Sequence, residues 1–520
     1  MKKLMILSLA FAGGLMATSE TGYAHGGQYR GPGDVVPPNP GGGGRTPRPS
    51  GPSTPGPSGP STPGPSGPAT PGPAGPATGG PAAPAPTAGP TTGPRGAPVA
   101  PDLTRWQFWW EFNKDPFINL KEAIHANLAT TGGDEFFMGS SKRAEAKDTL
   151  KPTKAEILNR ILPALKRALD STDQRDITSS CLVAMAKIGM NSESPQINIL
   201  EEMKKRLTNG DQEIRETAAL AMGISQMPDA VQHLVDLSGD TAAGRKLCGR
   251  AEVDDRTRSF ASYGLGLIAH ATSDADLKTT IFDSLKEQLE DKSIVNRNIK
   301  VAVINAIRLL RPNPANGPKE KKLLDDVLGA LWTYYTASAG QGEQQIQSHV
   351  PPAIANLLGK GGDEAGTYKD YFAKLLNGSK KYNNNMYQSA AIALGLLAES
   401  QEKVKGDKKY SDALLTHSQK GKDQQSRHFC LMALAKIGGT KNRNELLKAF
   451  NKGNKAIVKP WAAISLGVLA FEAFKAAGDG AAMDVTIGET LHRALKDIKN
   501  PETLAAIAVS LGLSKYRDAA

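Results

Sequence analysis

The sequence lacks the residues that a disulfide framework, a metal cluster or a known catalytic motif would need. Three cysteines in 520 residues are too few, and odd in number, for a disulfide framework. The eight histidines are scattered, with no His-Glu-x-x-His and no Cys-x-x-Cys motif. We therefore predict no catalytic residue, no metal site, no cofactor-binding residue and no cofactor, and we expect a protein that is not an enzyme.

Long apolar runs are also scarce after the amino terminus. Two lysines precede an apolar run from Leu4 to Ala17, which predicts a secretory signal peptide over 1–24, cleaved after Ala24 or after Ser19. We expect no later run to approach the ~20 apolar residues of a membrane span. The sequence thus predicts an exported bacterial protein, periplasmic, extracellular or in the cell envelope, with no transmembrane segment in the mature chain.

Large side chains are nearly missing from residues 25–101, where Gly, Pro, Ser, Thr and Ala dominate. Such a segment buries too little surface to offset its ordering entropy, so we predict a disordered linker. An octad beginning at Gly51 recurs at 59 and 67, but its glycine spacings of five and three exclude a collagen helix, which needs glycine at every third position. The linker is interpreted as a plain spacer or, alternatively, as an acceptor of O-linked sugars.

What the sequence does contain is a repeated segment. Cys181 to Gly189 returns as Cys430 to Gly438 with seven of nine residues unchanged, and looser copies lie between and beyond. Aligned on their last residue, called the anchor, nine copies lie at 186, 223, 266, 308, 358, 395, 435, 467 and 512, at intervals of 32 to 50 residues, and the copies at Arg308 and Leu358 are weaker. A period of this size is typical of a helical solenoid.

The alignment columns indicate how the copies pack. The residue before the anchor is large and apolar in all nine copies, and the residue two before it is small in eight, Asn356 being the exception. Glycine recurs at the anchor, although glycine within a helix costs roughly 1 kcal/mol relative to alanine. Its recurrence predicts a close approach of neighbouring helices, each copy being the buried inner helix of a two-helix repeat.

These residues resemble the HEAT-repeat, armadillo-like family over about 370 residues. The pattern Asp-x-x-x-Arg lies at the start of three inner helices, at Asp211 to Arg215, Asp254 to Arg258 and Asp423 to Arg427. A fourth inner helix has Asn296 and Lys300 at the same spacing. The resemblance implies that these side chains form a polar ladder between neighbouring repeats. It also implies an all-α fold, a right-handed α-solenoid of about nine HEAT-like helix pairs over 151–520, preceded by the disordered segment.

An amphipathic outer helix is expected before each inner helix, for example over Ile157 to Leu169, where Pro163 predicts a kink. Residues 238–256 are predicted to be a loop that interrupts the repeats. Cys181 and Cys430 occupy a column that is alanine in other copies, which predicts burial. Cys248, in the predicted loop, is the cysteine for which we expect exposure.

Three of the five tryptophans lie within five residues, at Trp106, Trp109 and Trp110. They predict an aromatic, amino-terminal helical cap over 102–150, whose hairpin covers the open apolar end of the solenoid. The alternative is an exposed aromatic recognition patch. The stretch from Trp106 to Asp115 resembles one found ahead of HEAT-type repeats in exported planctomycete proteins.

Positive charge is concentrated in one part of the chain. Residues 360–460 hold 19 Lys plus Arg and 9 Asp plus Glu, a surplus close to the net charge of +11 for the whole chain. We interpret it as a solvated edge or, alternatively, as a surface for an acidic protein, an anionic glycan or the cell envelope. Nucleic acid is not an expected partner, because no aromatics are interleaved for base stacking. With the three tryptophans, the candidate partner-binding residues are Lys403, Lys405, Lys408, Lys409, Lys441, Arg443, Lys448, Lys452 and Lys455.

Taken together, these patterns favour a non-enzymatic exported scaffold that mediates protein–protein interactions through the solenoid surface. One alternative is a lyase-like or enzyme-assisting protein, because the repeats also resemble those of helical-repeat phycobilin lyases. An export signal argues against chromophore attachment in the cytoplasm. Another alternative is a structural component of the cell envelope, tethered through the proline-rich arm.

Overall fold

The computed structural model describes residues 104–118, 152–189, 196–361, 364–453, 457–478 and 484–516. The predicted signal peptide and the predicted disordered linker lie outside these ranges, as does most of the segment 102–150. Within the described residues the chain is helical and contains no β-strand. The fold is an α-solenoid of nine helix pairs.

Two short helices precede the repeats, α1 over Trp106–Asn113 and α2 over Asp115–Ile118. The outer helices are α3 Lys154–Glu156 with its continuation α4 Leu162–Ser171, α6 Ile199–Arg206, α8 Ala230–Ser238, α11 Ala275–Glu290, α13 Pro318–Thr336, α16 Ala365–Asn377, α18 Lys408–Lys420, α20 Thr440–Lys452 and α22 Val485–Asp497. The inner helices are α5 Arg175–Ile188, α7 Gln212–Ile224, α10 Asp255–Ala271, α12 Arg297–Leu309, α15 Val350–Leu358, α17 Asn384–Leu397, α19 Gln424–Ile437, α21 Val458–Ala477 and α23 Pro501–Leu513. Successive inner helices contact one another along the stack.

The repeat alignment is confirmed by the inner helices, since each of the nine anchors lies on one of them. The large apolar residue before the anchor is buried in eight repeats, and Leu357 is partly buried. These side chains form the continuous apolar spine of the solenoid. Its burial is the main source of stability, because no single helix pair can cover its own apolar seam.

Small residues bring the inner helices into backbone contact. The anchor glycine of one repeat meets the small residue two before the anchor of the next: Gly223 meets Gly264, Gly266 meets Ala306, Gly395 meets Ala433 and Gly467 meets Ser510. A methyl group at Gly266, Gly395 or Gly467 would lie 2.7, 2.8 or 2.6 Å from the neighbouring Cα. The predicted close approach is therefore confirmed, and it explains why glycine recurs within these helices.

The polar residue twelve positions before the anchor caps the inner helix in seven of the nine repeats. Its side chain accepts a hydrogen bond from a free backbone N–H of the first turn, as expected of an N-cap. These N-caps are Gln174, Asp211, Asp254, Asn296, Asn383, Asp423 and Asn500. The two exceptions in the sequence are Ile346 and Lys455, and Lys455 lies outside the described residues.

The implied polar ladder forms only in the first repeats. Asp211 accepts a hydrogen bond from Arg175 Nη2 at 2.7 Å, and Arg215 Nε lies 3.3 Å from Asp254 Oδ2. In later repeats the cation instead donates to backbone carbonyls at the end of the preceding outer helix: Arg258 to Ser238 O, Lys300 to Leu289 O and Arg427 to Ser418 O. A cation in this position satisfies carbonyls that the helix leaves unpaired.

Buried ion pairs join some of the outer helices. Lys278 Nζ on α11 lies 2.9 Å from Glu320 Oε1 on α13, and both side chains are less than a tenth exposed. Lys369 on α16 contacts Asp407, just before α18, at 2.9 Å. Such pairs fix the register of neighbouring helices, since a partner removed by slippage would leave a buried charge uncompensated.

Three local expectations are corrected or refined. The first outer helix has a π-helical stretch, Ile157–Ile161, between α3 and α4, where the ring of Pro163 follows. The predicted loop 238–256 contains a helix, α9 over Ala242–Cys248, and a further helix, α14 over Gln341–Gln347, separates α13 from α15. Cys248 is 2% exposed, so its expected exposure is wrong, because it lies at the end of α9 and faces the protein interior. Cys181 and Cys430 are buried as predicted.

One described helix, α21, is long and apolar enough to cross a membrane, judged by length and composition alone. Its uncharged stretch runs only from Pro460 to Phe471, between Lys459 and Glu472, so the helix is no clear transmembrane span. The helix has 20 residues, and those from Pro460 to Ala470 are all buried within the protein. Its apolar character is explained by contacts on several faces, from α19, α20, α22, α23 and α1.

Candidate partner-binding surface

The basic edge, defined as Lys403, Lys405, Lys408, Lys409, Lys441, Arg443, Lys448, Lys452 and Lys455, lies on and beside two outer helices. Residues 403–409 precede and begin α18, and residues 441–452 belong to α20. Lys455 lies outside the described residues. The structure therefore brings the two lysine clusters of the sequence onto neighbouring repeats.

Most cations of the basic edge already have a carboxylate partner. The pairs are Lys403 with Glu399 at 3.6 Å, Lys408 with Asp412 at 3.2 Å, Lys409 with Asp370 at 2.5 Å, Lys441 with Asp412, Arg443 with Asp484 at 3.1 Å, and Lys448 with Glu445 at 2.6 Å. Contact with Asp370 raises the pKa of Lys409 above its usual value. For Lys405 and Lys452 no described carboxylate lies within ion-pair distance, so they carry most of the unbalanced charge.

Three of these pairs connect one outer helix to another. Lys409 reaches Asp370 on α16, Lys441 joins α20 to α18, and Arg443 reaches Asp484, the N-cap of α22. Exposed pairs of this kind contribute little to stability, because solvent screens them. The surplus of cations in the sequence is thus partly used inside the protein to connect repeats, which reduces the field available to an anionic partner.

The aromatic clasp, defined as residues 104–118, lies against the carboxyl-terminal repeats. Trp106 Nε1 donates to Glu502 O on α23 at 3.2 Å, and Trp461 Nε1 on α21 donates to Thr104 O at the same distance. Arg105 forms an ion pair with the Glu502 side chain. Hydrogen bonds in both directions therefore fix the clasp to two inner helices that lie more than 350 residues away in sequence.

Aromatic contacts complete this interface. The Trp109 and Trp461 rings are 6.3 Å apart, and Phe117 meets Phe471 edge to face at 5.1 Å. Trp110 stacks on Phe117 at 5.7 Å. On the other side of Trp461, the His428 ring stacks at 5.1 Å. Edge-to-face and offset stacked pairs of this kind are favourable beyond the area they bury.

The burial of the clasp distinguishes our two interpretations of the tryptophans, a covering hairpin and an exposed recognition patch. Trp106 and Trp109 are 3% and 5% exposed, so they do not form an exposed recognition patch. They cover α21 and α23 rather than the end of the solenoid before the first repeat. The physical reason is that α21 is apolar around its whole circumference and needs a cover beyond its neighbouring helices. Only Trp110 stays partly exposed.

Arg427 differs from the ladder arginine of the second repeat. Arg215 donates to two backbone carbonyls, Asn209 O and Gly210 O, and also pairs with Asp254, the N-cap of the next inner helix. Arg427 donates to one carbonyl, Ser418 O at 2.8 Å, and no described carboxylate lies within ion-pair distance of it. In the next repeat, the residue that corresponds to Asp254 in the sequence is Lys455.

A cavity of ≈350 Å³ adjoins this arginine, between α18, α19 and α20. Its apolar lining includes Leu415, Leu431, Leu434, Ala449 and Val458. The charged side chains that line it are Arg427, Lys448, Lys452 and Glu445, a net charge of +2, and the buried His428 ring also faces it. The volume lies in the lower part of the range of small-molecule sites, ≈300–1,000 Å³.

The cavity was missed by the sequence analysis. Lys448 and Lys452 were candidates, but only as members of a charged edge, and Arg427 was assigned to the ladder. One signal could have revealed the site: the N-cap column is Asp, Asn or Gln in seven repeats and lysine at Lys455. The apolar residues of the cavity carry no such signal, because in sequence they resemble ordinary core positions.

Buried histidines in the described part of the chain have structural roles. His417 lies 2.7 Å from Leu376 O and 2.9 Å from Ser426 Oγ, which links α16, α18 and α19, and burial lowers its pKa. Burial lowers the pKa of His349 to about 3. Both rings are therefore neutral near pH 7. A search of the described residues gives no group of three or more His, Cys, Asp or Glu placed to hold a metal ion.

Comparison with known proteins gives similarity to solved structures only. No protein-family model matches the chain, and no curated protein matches it. An engineered protein from the Northeast Structural Genomics Consortium is 18% identical, with a TM-score of 0.30, over 68% of this chain and 98% of its own. A Kap121p mutant is 12% identical, with a TM-score of 0.36, over 76% of this chain and 41% of its own. The fold assignment therefore rests on the helix pairs and the spine described above.

Proposed function

We propose that this protein is an exported, non-enzymatic scaffold that binds a protein partner through the surface of its solenoid. The observation that carries this proposal is the continuous spine, in which glycine and alanine bring successive inner helices into backbone contact. A stack joined in this way presents a large surface that is already ordered. Binding to a preorganised surface loses less conformational entropy, so many modest contacts add up to useful affinity.

Export and family membership belong to the same proposal. The charged start and apolar run of residues 1–24 support secretion. The Asp and Asn caps ahead of the inner helices, together with the Arg215 to Asp254 pair, support a place among HEAT-type repeats. The aromatic stretch from Trp106 to Asp115 supports a relationship to exported planctomycete proteins of this type.

The surface we assign to the partner is the exposed start of α18, around Lys403 and Lys405. The Lys405 side chain has no carboxylate partner among the described residues, and the Lys403 side chain is 64% exposed with a loose pair at 3.6 Å. Val404 between them is an exposed apolar residue. One cation without a described carboxylate partner and one loosely paired cation, beside an exposed apolar side chain, suit an acidic protein surface.

The test is a binding experiment with the immobilised full chain and the exported protein fraction, at low and at 0.5 M salt. Proteins retained are identified by mass spectrometry, purified and rebound individually. The site variant is Lys403→Glu with Lys405→Glu. The matched control is Lys246→Glu with Lys292→Glu, two exposed lysines in other repeats that undergo the same charge change. A purified partner should bind the site variant about tenfold more weakly and the control unchanged.

Two results would reject the proposal. If no exported protein bound the chain at low salt, the scaffold function would be wrong. If the control variant lost a partner as fully as the site variant did, general charge rather than this surface would explain the binding. Recovery of the chain only in the detergent-insoluble envelope fraction, without a bound protein, would favour a structural role instead.

A further inference from the structure

The cavity beside Arg427 lacks a carboxylate that the second repeat provides at the equivalent position. In the second repeat, the guanidinium of Arg215 contacts the backbone carbonyls of Asn209 and Gly210 and also the Asp254 carboxylate. Arg427 likewise donates to a backbone carbonyl, Ser418 O. The carboxylate contact is missing, because lysine replaces aspartate in the N-cap column of the next repeat. The guanidinium that lines the cavity therefore lacks the carboxylate that this position has in the second repeat.

The other side chains at the cavity add to its positive character. Lys448 pairs with Glu445 at 2.6 Å, so these two charges largely cancel. Lys452 is exposed, and no described carboxylate lies within ion-pair distance of it. An anion at the cavity would therefore meet Arg427 and Lys452 with little competition from protein carboxylates. Arginine suits a carboxylate, because two parallel N–H groups can donate to its two oxygens.

The rest of the cavity wall is hydrocarbon. Leu415 on α18, Leu431 and Leu434 on α19, Ala449 on α20 and Val458 on α21 line it. Leu434 is 1% exposed and Leu431 6%, so the wall belongs to the protein core. Filling this space with apolar atoms would remove their surface from water, which favours binding. A cationic mouth above an apolar wall selects a ligand with one anionic end and one apolar end.

We propose that this cavity binds a small monocarboxylate with an apolar chain, such as a medium-chain fatty acid. The carboxylate takes the place of the missing ladder aspartate at Arg427. The chain occupies the apolar space between α18, α19 and α20. This site is separate from the protein-binding surface around Lys403 and Lys405, so either proposal can fail without the other.

The competing occupant is the chain itself. Gly453 and Val458 line the cavity and flank residues 454–456, which lie outside the described part of the chain. A cavity filled by those residues would bind no added ligand. The experiment must therefore show binding that depends on both the charge and the apolar chain of the probe.

The test is isothermal titration of the full secreted chain with decanoate, decanol and acetate, each below the concentration at which it aggregates. Decanoate should bind, with decanol and acetate at least about tenfold weaker, because each lacks one of the two complementary ends. Arg427→Gln should weaken decanoate about tenfold or more. Ala449→Leu should weaken it too, by filling the apolar space.

The matched control is Arg258→Gln. Arg258 occupies the same repeat column and donates to a helix carbonyl, Ser238 O at 3.0 Å, as Arg427 does to Ser418 O. Its loss removes the same structural contact from another repeat, and decanoate binding should be unchanged. Thermal unfolding of both variants verifies that they are folded to the same extent.

Four outcomes would overturn the proposal. The first is no heat of binding with decanoate at millimolar concentration, and the second is an affinity for decanol equal to that for decanoate. The third is an unchanged affinity of Arg427→Gln for decanoate. The fourth is an equal loss of decanoate affinity in Arg258→Gln and Arg427→Gln. Binding of a short peptide with an apolar, carboxylate-ending terminus, in the absence of decanoate binding, would also overturn it and would assign the cavity to a protein partner.

Discussion

Replacing Gly266 by alanine is predicted to destabilise the protein, although alanine is the better helix former. Gly266 lies within α10, where a methyl group would be 2.7 Å from Ala306 Cα and 3.0 Å from Ala306 O on α12. Ordinary contacts of a methyl carbon begin at about 3.4 Å. The obstacle is backbone, which cannot rotate away, so α10 and α12 would have to separate.

The net effect follows from two opposing contributions. Inserting a methyl group into a well-packed core costs about 1–3 kcal/mol, and a backbone obstacle places this substitution near the upper value. Alanine in place of glycine within a helix stabilises it by about 1 kcal/mol. The difference is a loss of about 2 kcal/mol in the free energy of unfolding.

Gly329→Ala is the matched control. Gly329 lies in the interior of the outer helix α13, and a methyl group there would meet no described atom within 4 Å. Only the propensity contribution remains, so this variant should be stabilised by about 1 kcal/mol. The two substitutions are chemically identical and are predicted to have opposite signs.

Urea unfolding of the full chain, followed by circular dichroism at 222 nm, measures both effects. Because solenoids can unfold in parts, hydrogen exchange of α10 and α12 amides should locate the loss at that interface. If Gly266→Ala raised stability as Gly329→Ala does, the backbone contact along the spine would be refuted.

Three further predictions concern the clasp, a buried ion pair and a buried thiol. Trp461→Ala should destabilise the protein by about 3–5 kcal/mol in urea unfolding and should speed tryptic cleavage at Lys114. Trp110 is partly exposed, so Trp110→Ala should destabilise the protein less. Equal effects of the two substitutions would contradict the clasp geometry. Glu320→Gln should cost about 3–5 kcal/mol by leaving Lys278 buried and unpaired, whereas Lys319→Gln, at an exposed pair with Asp276, should leave the urea midpoint nearly unchanged in the same assay. Burial raises the pKa of Cys248 to about 11, so its thiol stays protonated at pH 8. Iodoacetamide should therefore label Cys248 only after unfolding, as measured by mass spectrometry. Labelling of the folded protein would show that α9 is open.

Sequence periodicity predicted the solenoid because its determinants are local. A column of large apolar residues recurs in all nine repeats, a column of small residues in eight and a polar cap residue in seven, so nine inner helices could be aligned before any contact was known. The pairing of Gly266 with Ala306 follows from the same columns. Repeat architectures are predictable to this extent because each repeat contacts mainly its neighbours.

The candidate site was less predictable, for two physical reasons. The partners of the basic edge come from adjacent repeats, as in the contact of Lys409 with Asp370, so counting cations in the sequence overestimates the free charge. The clasp depends on a contact between Thr104 and Trp461, 357 residues apart, and no periodic pattern specifies such a distance. Helices α9 and α14 were missed because each lies between the outer and the inner helix of one repeat, outside the alignment columns.

The aromatic clasp also has a consequence for how the protein is made. Synthesis proceeds from the amino terminus, so Trp106 and Trp109 emerge long before Trp461 and Glu502, which cover and bind them. Until then, the two large apolar rings lack the helices that cover them. A chain that ended before α21 would keep the rings unshielded, a feature that quality-control proteases and chaperones recognise. The clasp therefore distinguishes a chain that contains α21 and α23 from one truncated before them.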